Sequence, residues 1–271
     1  KAKGKIRKGA MMAVLCDWHP DVVEFITAKQ TPGRLQKFNV SVGISDEFMS
    51  QLTYIQKLEE RLRTESDPVV RETLVDAIDA VDVWPLQYPD TTHPKYKAEW
   101  NGDLKAWKTK RYEVVTYEYT SVTLLWNLIM ESTYNRAEPG VLFLDRANHF
   151  NPLSYLETIQ ATNPCGEQTL APGGCCNLGS INLTQFMTED GKFDFESLKE
   201  SAKVLVRLLD NVNSVSSAPL PEYIDSMRNK RRIGVGVMGW GSLLYMMRIR
   251  FGSEKANQLR DEIMQTIALT A

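Results

Sequence analysis

Residues 163–168 read Asn-Pro-Cys-Gly-Glu-Gln, and residues 175–183 read Cys-Cys-Asn-Leu-Gly-Ser-Ile-Asn-Leu. These two runs restrict the fold and chemistry of the chain more than any other part of it. On an extended segment alternate side chains share a face. Asn163, Cys165 and Glu167 are therefore expected to converge on one small ligand, bringing an amide, a thiol and a carboxylate together. Cys176 follows eleven positions after Cys165.

A carboxylate beside a thiol raises the thiol pKa, which argues against a thiolate nucleophile. A thiol that gives up or takes a hydrogen atom meets no such objection, and the carboxylate beside it can accept a proton from a substrate hydroxyl. A second thiol adds a two-electron reductant, because two sulfurs that meet form a disulfide. Radical reduction of an alcohol suits these groups better than hydrolysis.

The runs NPCGEQ and CNLGSINL resemble the catalytic core of the ribonucleotide reductase large chain, most closely the adenosylcobalamin-dependent class. Three further stretches carry the same resemblance: Gly9 through Asp21 with Phe38-Asn39-Val40-Ser41-Val42, Glu138 through Arg146, and Arg232 through Gly239. They occur in the family's order and cover nearly the whole chain. The resemblance implies an α/β fold, part of a ten-stranded α/β barrel with an inward catalytic finger loop. Residues 1–271 would be the central portion of one catalytic barrel domain, incomplete at both ends, with residues 54–116 as a peripheral helical and aromatic insertion.

Roles are carried over from the family residue by residue. Cys165 would become a thiyl radical and take the hydrogen atom from C3′ of the ribose. Glu167 would be the base for the 3′-hydroxyl, Asn163 would orient the substrate hydroxyls, and Cys176 would be one of the two reducing cysteines. The resemblance also implies adenosylcobalamin, an external dithiol reductant such as a thioredoxin-like donor, a ribonucleotide substrate and a nucleotide effector. It implies a homodimer once the missing N- and C-terminal portions of the barrel are present. Gln30, Arg34 and Lys37 would belong to the effector loop; on their residues alone, positions 30–37 are equally a basic, solvent-exposed turn. The first cysteine of the redox pair and a Pro-Thr-Gly phosphate loop are absent, so the chain is expected to be inactive alone, as a fragment or a piece of a split enzyme. Radical source, and diphosphate against triphosphate substrate, stay open.

Composition fits this frame. The chain has 271 residues, 43% hydrophobic and 24% charged, with a formal net charge of -2, which describes an ordinary globular protein with no electrostatic case for nucleic acid. No apolar run reaches bilayer length and no signal peptide is visible, so a cytoplasmic location is expected. Four cysteines, two of them adjacent, do not form a secreted disulfide framework. Their spacing does not suit structural zinc either, and no metal site is expected. Cys175 is an extra vicinal thiol, and Cys16 is expected to be buried.

Periodicity predicts strands at 11–15 and 38–44, the second with Phe38, Val40, Val42 and Ile44 on one face. Helices are predicted after Asp21, after an Asp46 cap, within 54–84, and over 121–136, 154–160, 195–212, 221–232 and 253–271. Residues 141–144 and 178–186 read as strands. Asp145 and Arg146 are expected to fix a strand end through a salt bridge. The aromatics between Trp84 and Tyr112 are expected to pack together and not to stack on nucleic acid. Gly234-Val235-Gly236-Val237-Met238-Gly239 has the letters of a dinucleotide fingerprint but lacks its context, and reads as close backbone packing. Two alternatives remain: a non-catalytic assembly partner of a split reductase, and a nicotinamide-dependent oxidoreductase built on that glycine run.

Overall fold

A computed structural model describes residues 10–35 and 37–271, which fall into two compact units, Lys1–Pro172 and Gly173–Ala271. The opening stretch 1–9, read from the sequence as lacking apolar periodicity, and Gln36 lie outside the described residues.

The first unit begins with β1 (Met11–Cys16), α1 (Val22–Thr27) and β2 (Phe38–Gly43), in which β1 and β2 pair in parallel with Met11 opposite Phe38 and Cys16 opposite Gly43. Val40, Val42 and Ile44 are 2%, 0% and 1% exposed, as the alternation predicts, but Ser41 on the opposite face is buried as well. A central parallel strand is covered on both sides. Ser45, and not Asp46, caps α2 (Asp46–Thr64): its Oγ accepts from Phe48 N at 3.1 Å. Asp46 and Glu47 instead lie in the first turn, where the helix dipole favours them.

After α3 (Pro68–Val81), the Trp84–Pro89 stretch becomes strand β3, antiparallel to β4 (Val114–Thr120). Its prolines are tolerated because a two-stranded ribbon has free edges. Between them lie α4 (Tyr96–Glu99) and α5 (Leu104–Thr109). Here Trp100, Trp107 and Tyr112 pack edge to face, with centroids 5.9 Å and 4.8 Å apart, and Trp107 is only 2% exposed. The aromatics are thus used on one another. Trp84 and Leu86 join Phe48, Ile55, Leu125 and Ile129 in the main core of the unit.

Helix α6 (Val122–Arg136), capped by Ser121, leads to β5 (Gly140–Leu142), which extends the sheet in the parallel order β1-β2-β5. β5 ends two residues before the predicted strand end at 144, and the chain enters α7 (Leu144–His149). Asp145 and Arg146 consequently sit in a helix and not at a strand end. They do not pair with each other: Asp145 Oδ2 accepts from Asp46 N at 2.9 Å and Arg146 Nε lies 3.2 Å from Asp46 Oδ1. Both fasten the start of α2. Residues 154–160 form turns and extended chain where a helix was expected. The Asn148 side chain binds the Ile159 backbone in both directions, accepting from its N at 2.7 Å and donating to its O at 2.9 Å. Such side-chain bonds offer the backbone an alternative to a helix. A short hairpin, β6 (Ala161–Thr162) against β7 (Thr169–Leu170), closes the unit.

In the second unit β8 (Asn177–Asn182) pairs in parallel with β9 (Ile233–Met238), Asn177 opposite Ile233. The predicted strand to Phe186 stops at Asn182, whose Oδ1 accepts from Thr184 N and starts a 3₁₀ turn, Leu183–Phe186. Helices α8 (Phe195–Val215), α9 (Pro221–Lys230), α10 (Trp240–Met246) and α11 (Glu254–Thr270) follow, with Leu183, Leu198, Ala202, Leu243, Ile263 and Ile267 forming the core. Arg228 and Lys230 occupy the last turn of α9, as a basic C-terminus should. Arg231 donates from Nε to Asp210 Oδ1 at 2.7 Å and so ties α9 to α8.

Gly234 and Gly236 lie inside β9 and not in a turn after it. A Cβ on Gly234 would stand 2.5 Å from Leu178 Cδ2 and 3.5 Å from Cys176 Sγ. Gly234 thus serves close packing, while a Cβ on Gly236 would come no nearer than 3.4 Å to Ser180 Oγ, and the dinucleotide context is lost. Among the described residues the strands form four separate sheets, and no helix is long and apolar enough to cross a membrane. Both units are α/β, with parallel strands joined through helices.

Candidate active site

Between β6 and β7 the chain turns at Asn163-Pro164-Cys165-Gly166. Gly166 N donates to the Asn163 carbonyl at 3.0 Å, and Gly166 adopts φ +80°. Asn at the first position, Pro at the second and Gly in the left-handed region are what turn geometry favours. Cys165 is the third residue, at the tip. The segment is therefore not extended, and the alternation expected from sequence does not apply at 163–167.

The turn places the three side chains differently from one another. Cys165 and Glu167 are exposed, and the Glu167 carboxylate takes no partner among the described residues. Asn163 is half-buried and holds the loop together: its N donates to Gln168 O at 3.1 Å and its Oδ1 accepts from Gln168 N at 3.0 Å. That bond uses one of the two lone pairs on Oδ1, so the carboxamide still offers a ligand its N–H donors and one further acceptor position.

Two amides that sequence reasoning passed over fix the hairpin. Asn148 grips its base through Ile159, and Asn39 Nδ2, from β2, donates to Pro164 O at 2.5 Å. A further bond runs from Gln160 Nε2 to Asn101 O. In the sequence Asn39 stood out as a polar residue of the alternating strand and as part of the stretch 38–42 that carries the family resemblance, and the distance between residues 39 and 164 along the chain hid its partner.

The other thiols have different surroundings. Cys16, at the end of β1, is half-buried; its pKa is pushed up to about 12, by burial first and then by the charges of Asp17, Asp145 and Asp103. Asp17 itself is fully buried, and loss of hydration lifts its carboxyl from 3.8 to about 7 against the lowering effect of Ser45. Its Oδ2 accepts from Ser45 N at 2.6 Å and from Ser45 Oγ at 2.8 Å, while Oδ1 is buried without a hydrogen-bond partner among the described residues. In the second unit Cys175 and Cys176 are half-buried and reduced. Burial raises the Cys175 pKa and Arg232 opposes that rise. Cys176 precedes β8, beside Gly234, and Asn177 next to it donates to Asn213 Oδ1 at 2.8 Å.

The connection between α1 and β2 carries Gln30, Arg34 and Lys37. Gln30 Nε2 donates to Ser132 O at 3.4 Å and Arg136 donates to Gln30 O at 3.3 Å. Arg34 and Lys37 are exposed. Lys29 pairs with Glu138 and donates to Phe38 O at 2.6 Å, and Glu138 Oε1 accepts from Val40 N at 3.3 Å.

The first α/β unit thus displays an exposed thiol on a polar turn, two residues before an exposed carboxylate. The chain matches the ribonucleotide reductase barrel domain along residues 1–271 and is a member of that family. It is 31% identical over 266 residues to the vitamin B12-dependent ribonucleoside-diphosphate reductase of Thermoplasma acidophilum, covering 98% of this chain and 28% of that protein. The enzyme of the same name from Mycobacterium tuberculosis is 34% identical over 269 residues, 99% of this chain and 31% of that protein. The large subunit of variola virus ribonucleoside-diphosphate reductase is 28% identical over 277 residues, 97% of this chain and 32% of the viral protein. The chain thus spans about a third of the length of the curated relatives it matches.

Proposed function

We propose that the chain is the central catalytic portion of a ribonucleotide reductase barrel that reduces ribonucleoside diphosphates, with adenosylcobalamin as radical source. The observation that carries this reading is the turn that displays Cys165, with exposed Glu167 two residues on, in a chain that matches the family from end to end. An exposed thiol two residues from an exposed carboxylate suits hydrogen-atom transfer with a base at hand. Cobalamin, when bound, would supply the radical that the Cys165 sulfur receives; no residue of this chain is assigned to hold it.

The remaining steps use the chain's own groups. Cys165, as a thiyl radical, takes the C3′ hydrogen and later returns it. Glu167 takes the 3′-hydroxyl proton, and the free N–H donors of Asn163 orient the substrate hydroxyls. The 2′-hydroxyl leaves as water while Cys176 and a partner thiol outside this chain supply two electrons and become a disulfide. An external dithiol, such as a thioredoxin-like donor, returns the pair to thiols.

In this reading residues 1–271 lie within one barrel whose finger loop is the 163–168 turn, and residues 54–116 are an insertion that packs Ile55, Trp84 and Leu86 into the core of the first unit. Gln30, Arg34 and Lys37 belong to the loop that senses a nucleotide effector, in a cytoplasmic homodimer. Replacing Cys165 with Ala in the full-length protein tests the proposal. Deoxyribonucleotide formation with a dithiol donor and cobalamin is expected to vanish, and turnover that persists would refute it.

A further inference from the structure

We propose that Asn39 is a positioning residue for Cys165. The proposal rests on the function argued above and adds to it a residue from a different element of the fold. In the turn at 163–166 the closing bond uses the Asn163 carbonyl, so the Pro164 carbonyl has no role in the turn's own closure. Asn39 supplies the partner: its Nδ2 donates to Pro164 O at 2.5 Å across 125 positions of sequence.

The location of that oxygen matters. The Pro164 carbonyl belongs to the peptide unit that ends in Cys165 N. The plane of this unit, together with the Cys165 φ angle, sets the direction of the Cys165 Cα–Cβ bond. Pro164 already has a ring-restricted φ, and Asn39 restrains the freedom that remains, the rotation of the following peptide. Asn163 and Gln168 brace the sides of the loop and Asn148 braces its base at Ile159. Asn39 alone among these acts on the peptide adjoining the thiol.

Asn39 is well placed to hold this bond. It is the second residue of β2, paired with Met12 of β1, and the next residue, Val40, is 2% exposed in the core of the sheet. The donor therefore projects from a rigid central strand and the acceptor from a short turn. A reaction that depends on hydrogen-atom transfer falls steeply when the reacting atom is misplaced by about 1 Å.

The test uses the full-length protein with Asn39→Ala and Asn39→Leu, the second keeping the side-chain volume without the donor. Asn39 is exposed, so both variants are expected to keep the wild-type circular dichroism spectrum and melting temperature; the Leu variant serves if the Ala variant does not fold. Alkylation by iodoacetamide is followed peptide by peptide in the mass spectrometer. The Cys165 rate is expected to change by about threefold or more while the Cys16 rate stays as in wild type. Unchanged Cys165 labelling in a folded variant would overturn the proposal. In turnover, kcat is expected to fall by about tenfold or more with KM nearly constant; a change in KM alone would overturn it as well. If the unmodified protein proves to have no reductase activity, the proposed function fails while the labelling arm still decides whether Asn39 positions the thiol.

Discussion

Cys16 and Cys165 belong to the same unit and differ in almost everything that governs a thiol. Cys16 ends a parallel strand, largely removed from water and next to the buried Asp17, and its pKa is pushed up to about 12. Cys165 stands at the third position of a polar turn, exposed, with its nearest strand only two residues long. The residue type is the same; the secondary structure decides which sulfur is open to solvent. A strand end holds the first sulfur half-buried beside Asp17, while the turn presents the second and spends its hydrogen bonds on holding it there.

The largest expected effect separates the two sites outright. Cys165→Ser keeps a small polar residue at a position turns accept, so the fold should persist while turnover disappears; Cys16→Ser should leave turnover close to wild type. Equal losses in a deoxyribonucleotide assay would erase the distinction. At pH 8, Cys16 should react with iodoacetamide roughly a thousandfold more slowly than an unstructured cysteine peptide of pKa about 8.5. Peptide-resolved labelling measures this directly, and a rate near that of the free peptide would break the comparison.

Asp17 sharpens it. Its folded pKa, raised to about 7 from 3.8, means that the folded state binds more protons than the unfolded state between those values. Stability should therefore be highest below about pH 4 as far as this group is concerned, fall as pH rises to about 7, and level off above. Asp17→Asn should flatten that trend in urea unfolding followed from pH 5 to pH 8. It should also speed Cys16 labelling in part only, because burial, the larger cause, remains. A full recovery of the rate would assign the shift to charge instead.

The smallest effect lies in the turn. Asn163→Ala removes the Oδ1 bond to Gln168 N and should cost about 1 kcal/mol. Asn163→Asp keeps an acceptor there and should cost less, yet it loses the N–H donors. If both variants lose activity but only the Ala variant loses stability in thermal unfolding, the two roles of the carboxamide are separated. Equal stability losses would show that the loop needs the amide as a whole.

Most of the regular structure was legible from the sequence. The alternation at 38–44 gave β2 with its buried face, and Ser121 and Ser253 announced α6 and α11. Reading failed where a single side chain redirects the backbone. Ser45 displaced Asp46 as a cap, Asn182 ended β8 early, and Asn148 held residues 154–160 out of a helix. In the site, the residue types at 163, 165 and 167 were visible, whereas their arrangement as a turn followed from Pro164 and Gly166, which the assumption of an extended segment overlooked. Asn39 and Asp17 escaped because their partners, Pro164 and Ser45, are distant in sequence.

The segment between α1 and β2 is tied down at both ends. Lys29, paired with Glu138, secures its start to Phe38, Glu138 also holds Val40, and Arg136 holds Gln30. The entropy of bringing its ends together is therefore spent during folding. Under the proposed function, a nucleotide effector reaching Arg34 or Lys37 would meet a loop whose ends are already joined, so its binding need not supply the free energy of closing them.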